Sequence, residues 1–160
     1  MFNNTKSSRN ILVILLATFL ISIGCNKESD SSEDTITLKG TVLHGQSPIE
    51  NSMVKIYLAG SSQWSDAVSL GETQTSSGGE FEISFSMTTD PEAVIYATAS
   101  GASASIKLAS VFGTQPLPSN VVINERTTIA TAYAMAQFID GDNIAGSCPG
   151  LRNAAATLQN

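Results

Sequence analysis

Few residues of this 160-residue chain could carry acid–base or nucleophilic chemistry. His44 is the one histidine, and it lies beside Gly45 and close to Pro48, which is typical of an exposed turn. No nucleophile and base can be paired around it, as covalent catalysis requires. The sequence therefore predicts no catalytic residue, no cofactor and no enzymatic activity.

The acidic residues favour solvation over metal binding or glycoside cleavage. Residues 140–143 (DGDN) look like a fragment of a calcium loop, but Ile144 follows and the closing glutamate of such a loop is missing. Glu80 and Glu82 share one face of one strand, whereas the carboxylates that cleave glycosides flank a cleft. We expect no metal site, a helix-ending turn at 140–143 and two solvated glutamates.

Two other side chains could contact a ligand or a partner. Trp64 lies in the polar segment 60–66, where an aromatic ring could stack on a sugar or anchor a protein partner. The alternative is that Trp64 folds back over the edge of a sheet. Cys148 could pair between chains in an oxidising compartment, or it could be a small buried residue. Trp64 is the candidate ligand contact.

Composition and charge exclude some partners. The chain has 14 Asp and Glu against 8 Lys and Arg, for a formal charge of −6, and it contains no basic cluster. Nucleic acid is therefore not expected as a partner, because phosphate binding needs clustered cations. Hydrophobic residues at 42% and charged residues at 14% fit a globular chain and not a disordered one, and the length of 160 residues allows one domain with an appendage.

The first residues form a targeting segment. Lys6 and Arg9 precede an apolar run at residues 11–23, which is shorter than the roughly 20 residues that a spanning helix needs. This pattern predicts a secretory signal peptide. Its end, residues 21–25 (ISIGC), resembles the lipobox of bacterial lipoproteins, although Ser22 stands where that family usually has leucine. The resemblance implies cleavage before Cys25 and lipid on its thiol, so that a membrane is the expected partner.

Residues 25–34 then form an acidic tether without apolar side chains to pack. The residue after Cys25 is Asn26 and not aspartate. By resemblance to the sorting of enterobacterial lipoproteins, this residue is not a signal for retention at the inner membrane. The acids beyond it resemble surface-export signals of Bacteroidota lipoproteins. The resemblance implies a location in the bacterial cell envelope, at the outer membrane and exposed at the cell surface.

Residues 35–124 alternate between apolar and polar side chains. The clearest stretches begin near Ile36, Val54 and Phe81, with four further candidates at 68–75, 93–99, 105–110 and 120–123. A period of two with turns every 8–12 residues predicts a mainly β sandwich or barrel. The chain resembles carboxypeptidase regulatory-like domains at residues 38–42, 47–54, 73–81 and 94–101. That resemblance implies a transthyretin-like, seven-stranded Greek-key sandwich and a non-catalytic accessory role.

Residues 125–160 predict a helical tail. Asn124 can cap a first helix, with an apolar face of Ile129, Ala132, Tyr133, Ala136 and Ile139, and Gly141 can end it. A second helix is expected near Pro149. The stretch 121–135 resembles a segment that precedes a β-propeller of NHL-like repeats in larger bacterial surface proteins. The alternatives are the front of such a protein, or two helices that pack on the sandwich.

The sequence thus predicts a lipid-anchored, exported module without catalytic activity, divided into residues 1–24, 25–34, 35–124 and 125–160. Its expected role is that of a spacer or interaction domain of the cell envelope. The alternative is a surface module that binds a carbohydrate or a peptide through Trp64.

Overall fold

The computed structural model describes residues 35–101 and 106–158, and they form a mainly β fold with two short helices, one of them at the C-terminal end. The strands are β1 (Thr35–His44), β2 (Ser47–Pro48), β3 (Met53–Leu58), β4 (Val68–Gln74), β5 (Glu80–Ser86), β6 (Ile95–Ser100), β7 (Lys107–Gly113), β8 (Asn120–Ile123), β9 (Ile139–Asp140) and β10 (Asn143–Ile144). The helices are α1 (Glu125–Ala134) and α2 (Cys148–Ala156).

The first sheet is built around β1, which pairs with β2 and β5 in antiparallel fashion and with β8 in parallel. Gly40 lies opposite Phe81 on β5 and Val121 on β8. A Cβ atom at Gly40 would lie 2.6 Å from side-chain carbons of both residues. Only glycine therefore lets β1 stay central between these two neighbours.

The second sheet has the order β4-β3-β6-β7, and all of its pairs are antiparallel. Its inner face packs on the inner face of the first sheet, so both sheets contribute to one hydrophobic core. Phe81, Ile83 and Phe85 show the alternation most clearly, because each is buried while the residues between them are exposed. The prediction of a mainly β sandwich is confirmed.

The expected count of seven strands is not confirmed. Each of the seven predicted stretches contains a strand, but β2 adds an eighth to the two sheets within the described residues. Strand β2 has only two residues, which is too short for a period of two to appear in the sequence. A further two-stranded ribbon, β9-β10, lies in the tail.

Helix α1 begins where the sequence predicts. The Asn124 side chain accepts a hydrogen bond from the Thr127 amide at 3.0 Å, and the Thr127 hydroxyl accepts one from the Asn124 amide at 3.0 Å. This reciprocal pair is a capping box, which satisfies amides that a helix start leaves open. The predicted end at Gly141 is wrong, because α1 ends at Ala134 and Gly141 instead turns the β9-β10 ribbon with φ +62.

The predicted apolar face of α1 is also wrong. Ile129 and Tyr133 are 69% and 88% exposed, whereas Thr131 and Met135 are buried. The helix turns its threonines inward because β7 is an edge strand whose outer amides need acceptors. The reason is therefore hydrogen bonding at the edge of the sheet, which hydrophobic periodicity does not report.

The tail packs on the outer face of the second sheet. Met135, Ile144, Leu151 and Ala155 form a second hydrophobic cluster there with residues of that sheet. Both helices of the tail pack on the sandwich. The resemblance of 121–135 to a segment before a β-propeller stays a prediction from the sequence. In the ranges that the structure describes, no helix combines the length and apolarity needed to cross a membrane.

Candidate functional site

Strands β3 and β6 carry aromatic and polar side chains on the face that points away from the shared core. Val54, Ile56 and Ala97 are buried in that core. Their strand neighbours project to the opposite face because side chains alternate along a strand. The outward residues are Met53, Lys55, Tyr57, Tyr96, Thr98 and Ser100.

Part of this outer face is the floor of a cavity of about 380 Å³, which we term the outer-face cavity. Helix α1 forms one wall through Thr128, Thr131 and Ala132, and the β9-β10 ribbon forms another through Asp142 and Ile144. Ligand sites in proteins are concave and mostly apolar, with volumes from roughly 300 Å³ upward. The outer-face cavity is therefore the candidate functional site among the described residues.

Tyr57 and Tyr96 are cross-strand partners at one end of the cavity. Their ring centroids are 5.2 Å apart and their planes differ by 19°, so the rings are stacked. The Tyr96 hydroxyl donates to the Asp142 carbonyl at 3.1 Å and accepts from the Ile144 amide at 3.3 Å. Burial raises the pKa of Tyr96 to about 12. Tyr96 therefore stays protonated and holds the ribbon in place.

Two lysines stand at the rim of the cavity. Lys107 Nζ lies 2.9 Å from Asp142 Oδ2, and Lys55 Nζ lies 3.5 Å from Glu72 Oε2. All four side chains are exposed by more than two fifths. Surface pairs of this kind contribute about 0–1 kcal/mol, so they hold their partners weakly.

The loop that carries Trp64 is fixed by the same ribbon. The Asn143 side chain accepts from the Ala67 amide at 2.8 Å and donates to the Ser65 carbonyl at 3.0 Å. Trp64 itself is 78% exposed, so the alternative that it folds back over the sheet edge is wrong. Its backbone has φ +69, a left-handed conformation that non-glycine residues rarely adopt. Trp64 is not among the residues that line the outer-face cavity.

The other sequence candidates are spread over the surface. His44 is exposed, as predicted for a turn, and pairs through Nδ1 with Glu125 Oε1. The pKa of the Glu125 carboxyl is lowered by hydrogen bonds from its own amide and from the Gly45 amide, and less by His44. This contact joins the turn after β1 to the start of α1, and it holds no nucleophile.

Glu80 and Glu82 are exposed on one strand face, as predicted, and Glu82 pairs with Lys39 at 3.1 Å. Cys148 is partly buried, where the sequence interpretation had a small buried residue; its Sγ lies 3.9 Å from Glu92 Oε2. Across residues 35–101 and 106–158, no group of three His, Cys, Asp or Glu side chains could hold a metal ion. Cys25, the predicted lipid attachment residue, lies outside the described residues.

Sequence reasoning missed the outer-face cavity, although one signal for it was present. The alternation of β3 puts Tyr57 on the same face as Lys55, opposite the buried Val54 and Ile56. A large aromatic on the face expected to be wet indicates that something covers that face. The cover, which includes Ile144 and helix α1, comes from residues more than 60 positions later.

Comparisons with known proteins found no matching family model and no matching curated protein. Among solved structures, the chain is similar to an alternative pilotin from the type II secretion system of Vibrio cholerae, with a TM-score of 0.42 and 14% identity over 57% of this chain and 95% of that one. It is similar to a dioxygenase domain from Streptomyces sp. SirexAA-E, with a TM-score of 0.37 and 17% identity over 55% of this chain and 62% of that one.

A third likeness, to a 9R-lipoxygenase from Cyanothece PCC8801, has a TM-score of 0.37 and 14% identity over 71% of this chain and 19% of that one. These likenesses are too distant to indicate a function. The resemblances to bacterial lipoproteins and to carboxypeptidase regulatory-like domains therefore stay predictions from the sequence.

Proposed function

We propose that this protein is a lipid-anchored, exported β-sandwich module without catalytic activity, which serves as a spacer or interaction domain of the cell envelope. The observation that carries the proposal is the position of Cys25, directly after Gly24 and the apolar run at 11–23. The proposal extends to the outer membrane and the cell surface, in line with Asn26 and the acidic residues that follow it.

The anchor has to be lipid because electrostatic attraction cannot supply it. The chain carries a net charge of −6, and Lys6 and Arg9 would leave with the signal peptide. Anionic membranes repel such a protein. Each buried CH₂ of an acyl chain contributes about 0.8 kcal/mol, and two or three chains on one residue hold a protein stably where a single chain is marginal.

The tether determines how far the sandwich can stand from the membrane. Under this proposal residues 26–34 are the acidic tether that the sequence predicts after Cys25. A fully extended chain spans at most about 3.5 Å per residue, or about 30 Å for this segment. The module would therefore work within about one domain diameter of the bilayer surface, which suits a spacer or a receptor for envelope components.

A second candidate function is the binding of a carbohydrate or a peptide, and the observation that favours it is the exposure of Trp64. The ring is 78% exposed on a loop that Asn143 holds in place. A rigid exposed aromatic can stack on a sugar ring or anchor a partner at low entropic cost. Under this proposal the sandwich presents Trp64 to the partner.

The anchor is tested by metabolic labelling of the full chain with radiolabelled palmitate in a Gram-negative host. We expect label on the unmodified chain and a complete loss of label in Cys25→Ser, because the oxygen of serine cannot form the thioether. The readout is autoradiography of the isolated polypeptide, together with its distribution between membrane and soluble fractions.

The chain offers a matched control in its other cysteine. Cys148→Ser is expected to keep both the label and the membrane fraction, since this thiol lies within the folded module. Label that persists in Cys25→Ser would contradict the proposal. So would membrane partitioning of a chain that starts at residue 26 and has no lipid.

A further inference from the structure

The inner part of the outer-face cavity is mostly apolar, and three of the hydroxyls that line it are already hydrogen-bonded within the protein. The Tyr96 hydroxyl is already bonded to Asp142 and Ile144. The Thr128 hydroxyl accepts from the Ala109 amide at 2.9 Å, and that of Thr131 accepts from the Val111 amide at 3.3 Å. Apolar surface in the cavity comes from Met53, Leu108, Ala109, Ala132, Ile139 and Ile144. The hydroxyl groups of a sugar would find few hydrogen-bond partners here, whereas a hydrocarbon body needs none.

The rim of the cavity has the opposite character. Lys55 and Lys107 account for two of the five Lys and Arg side chains within the described residues of an acidic chain. They lie on β3 and β7, on either side of β6. Strands two positions apart are separated by about 10 Å, so two lysine side chains can converge on one anion. The hydroxyls of Thr98 and Ser100 line the cavity between them.

An anion can displace Glu72 and Asp142 from these lysines at a small cost in free energy. The Lys55–Glu72 pair is loose at 3.5 Å, and both Lys107 and Asp142 are about two-thirds exposed. Exposed pairs contribute little to stability because water screens them. A carboxylate whose apolar body is buried in the cavity is held beside the lysines, which strengthens its pairing with them.

We propose that the outer-face cavity binds a small amphipathic organic anion, with its apolar body between α1 and the β9-β10 ribbon and its carboxylate between Lys55 and Lys107. The volume of about 380 Å³ accommodates one short acyl chain or one fused ring system. Trp64 does not line this site. Binding at this site goes beyond the proposed function and does not depend on lipid attachment.

The test is a calorimetric titration of the chain that starts at residue 26, since both hydrophobic clusters lie within the described residues that this chain retains. Decanoate, below its micellar concentration, is the probe. Decylammonium has the same apolar body with the opposite charge, and acetate has the anion without the body. We expect decanoate to bind one site at least about tenfold more tightly than either of them.

Three variants locate the site. Lys107→Met and Lys55→Met keep the length of the side chain and are each expected to weaken decanoate binding about tenfold by removing one charge-assisted hydrogen bond. Ala132→Trp, at an exposed position on the rim, is expected to abolish binding by filling the cavity mouth. Lys39→Met is the matched control, because Lys39 is also ion-paired and exposed but lies on the first sheet.

Thermal unfolding by circular dichroism verifies that each variant is folded. The proposal is overturned if decanoate does not bind, if decylammonium binds equally well, or if Lys39→Met weakens binding as much as Lys107→Met does. Failure of palmitate labelling at Cys25 would leave the titration unaffected, so the two proposals fail separately.

Discussion

At the scale of single residues, Trp64 combines strong exposure with an unfavourable backbone conformation. Its φ of +69 puts a bulky side chain in the left-handed region, which costs roughly 1–2 kcal/mol relative to glycine. The surrounding hydrogen bonds impose this conformation, since Ser65 Oγ donates to the Ser62 carbonyl at 2.8 Å and Asn143 holds the loop from the other side. Backbone strain of this kind clusters at functional positions when the surrounding structure holds it in place.

Two substitutions of Trp64 separate the contribution of the ring from that of the strained backbone. Trp64→Gly is expected to be about 1 kcal/mol more stable than Trp64→Ala, because glycine adopts positive φ without strain. Trp64→Ala itself is expected to stay within about 0.5 kcal/mol of the unmodified chain, since the ring packs on little. Urea unfolding followed by far-ultraviolet circular dichroism measures both differences.

The unmodified chain provides the functional readout, because Trp64 is its one tryptophan. Titration with cell-envelope glycans and peptides is expected to change its fluorescence if the ring contacts them. A loss of more than about 2 kcal/mol in Trp64→Ala would instead assign the ring to the packing of the loop. An unchanged fluorescence across the whole panel would remove Trp64 as a ligand contact.

At the scale of elements, α1 protects the free edge of the second sheet. Strand β7 is the last strand of that sheet, and edge amides left open invite pairing with another chain. The Thr128 and Thr131 hydroxyls accept from the Ala109 and Val111 amides, while the Thr127 hydroxyl donates to the Ala109 carbonyl at 2.9 Å. A helix with a polar inner face thus replaces the hydrogen bonds of a missing strand.

This arrangement predicts a clear effect of Thr131→Val. Valine has the shape of threonine but has no acceptor, so the Val111 amide would be buried without a partner. The expected loss is about 1–3 kcal/mol in the free energy of unfolding, measured by urea denaturation. Thr131→Ser is the control, because it keeps the hydroxyl and should lose less. A Thr131→Val variant as stable as the unmodified chain would show that the edge amide is satisfied in another way.

At the scale of the whole molecule, residues 35–101 and 106–158 form two hydrophobic cores that share one sheet. The first lies between the two sheets, and the second lies between the outer face of the second sheet and the tail. Tyr96, on β6 of this shared sheet, connects the second core to the ribbon through its hydroxyl. The tail is therefore an integral layer of the module, and it also builds two walls of the outer-face cavity.

The contribution of the tail can be measured with two substitutions on one segment. Met135 is 0% exposed in the second core, so Met135→Ala is expected to lower the free energy of unfolding by about 2–5 kcal/mol. Tyr133→Ala, at an 88% exposed position, is expected to change it by less than about 0.5 kcal/mol. Equal effects of the two variants in urea denaturation would mean that the tail does not pack as described.

Local sequence patterns determined the parts of this protein that depend on a few neighbouring residues. Alternation along β1, β3 and β5 reports which side chains of a strand share a face, and these strands are where the pattern predicts them. The start of α1 follows from the capping chemistry of Asn124. Such signals are short-range, because the alternation of a strand and the cap of a helix depend only on residues close together in the sequence.

Tertiary structure alone decided which edges and faces meet. The parallel pairing of β8 with β1 joins residues about 80 positions apart, and the inward threonines of α1 respond to the open amides of β7. The outer-face cavity has the same origin, because Tyr57, Lys107 and Asp142 come from three distant segments. Contacts of this kind depend on the complete arrangement of the sheets, and a period of 2 or 3.6 residues along the chain contains no record of them.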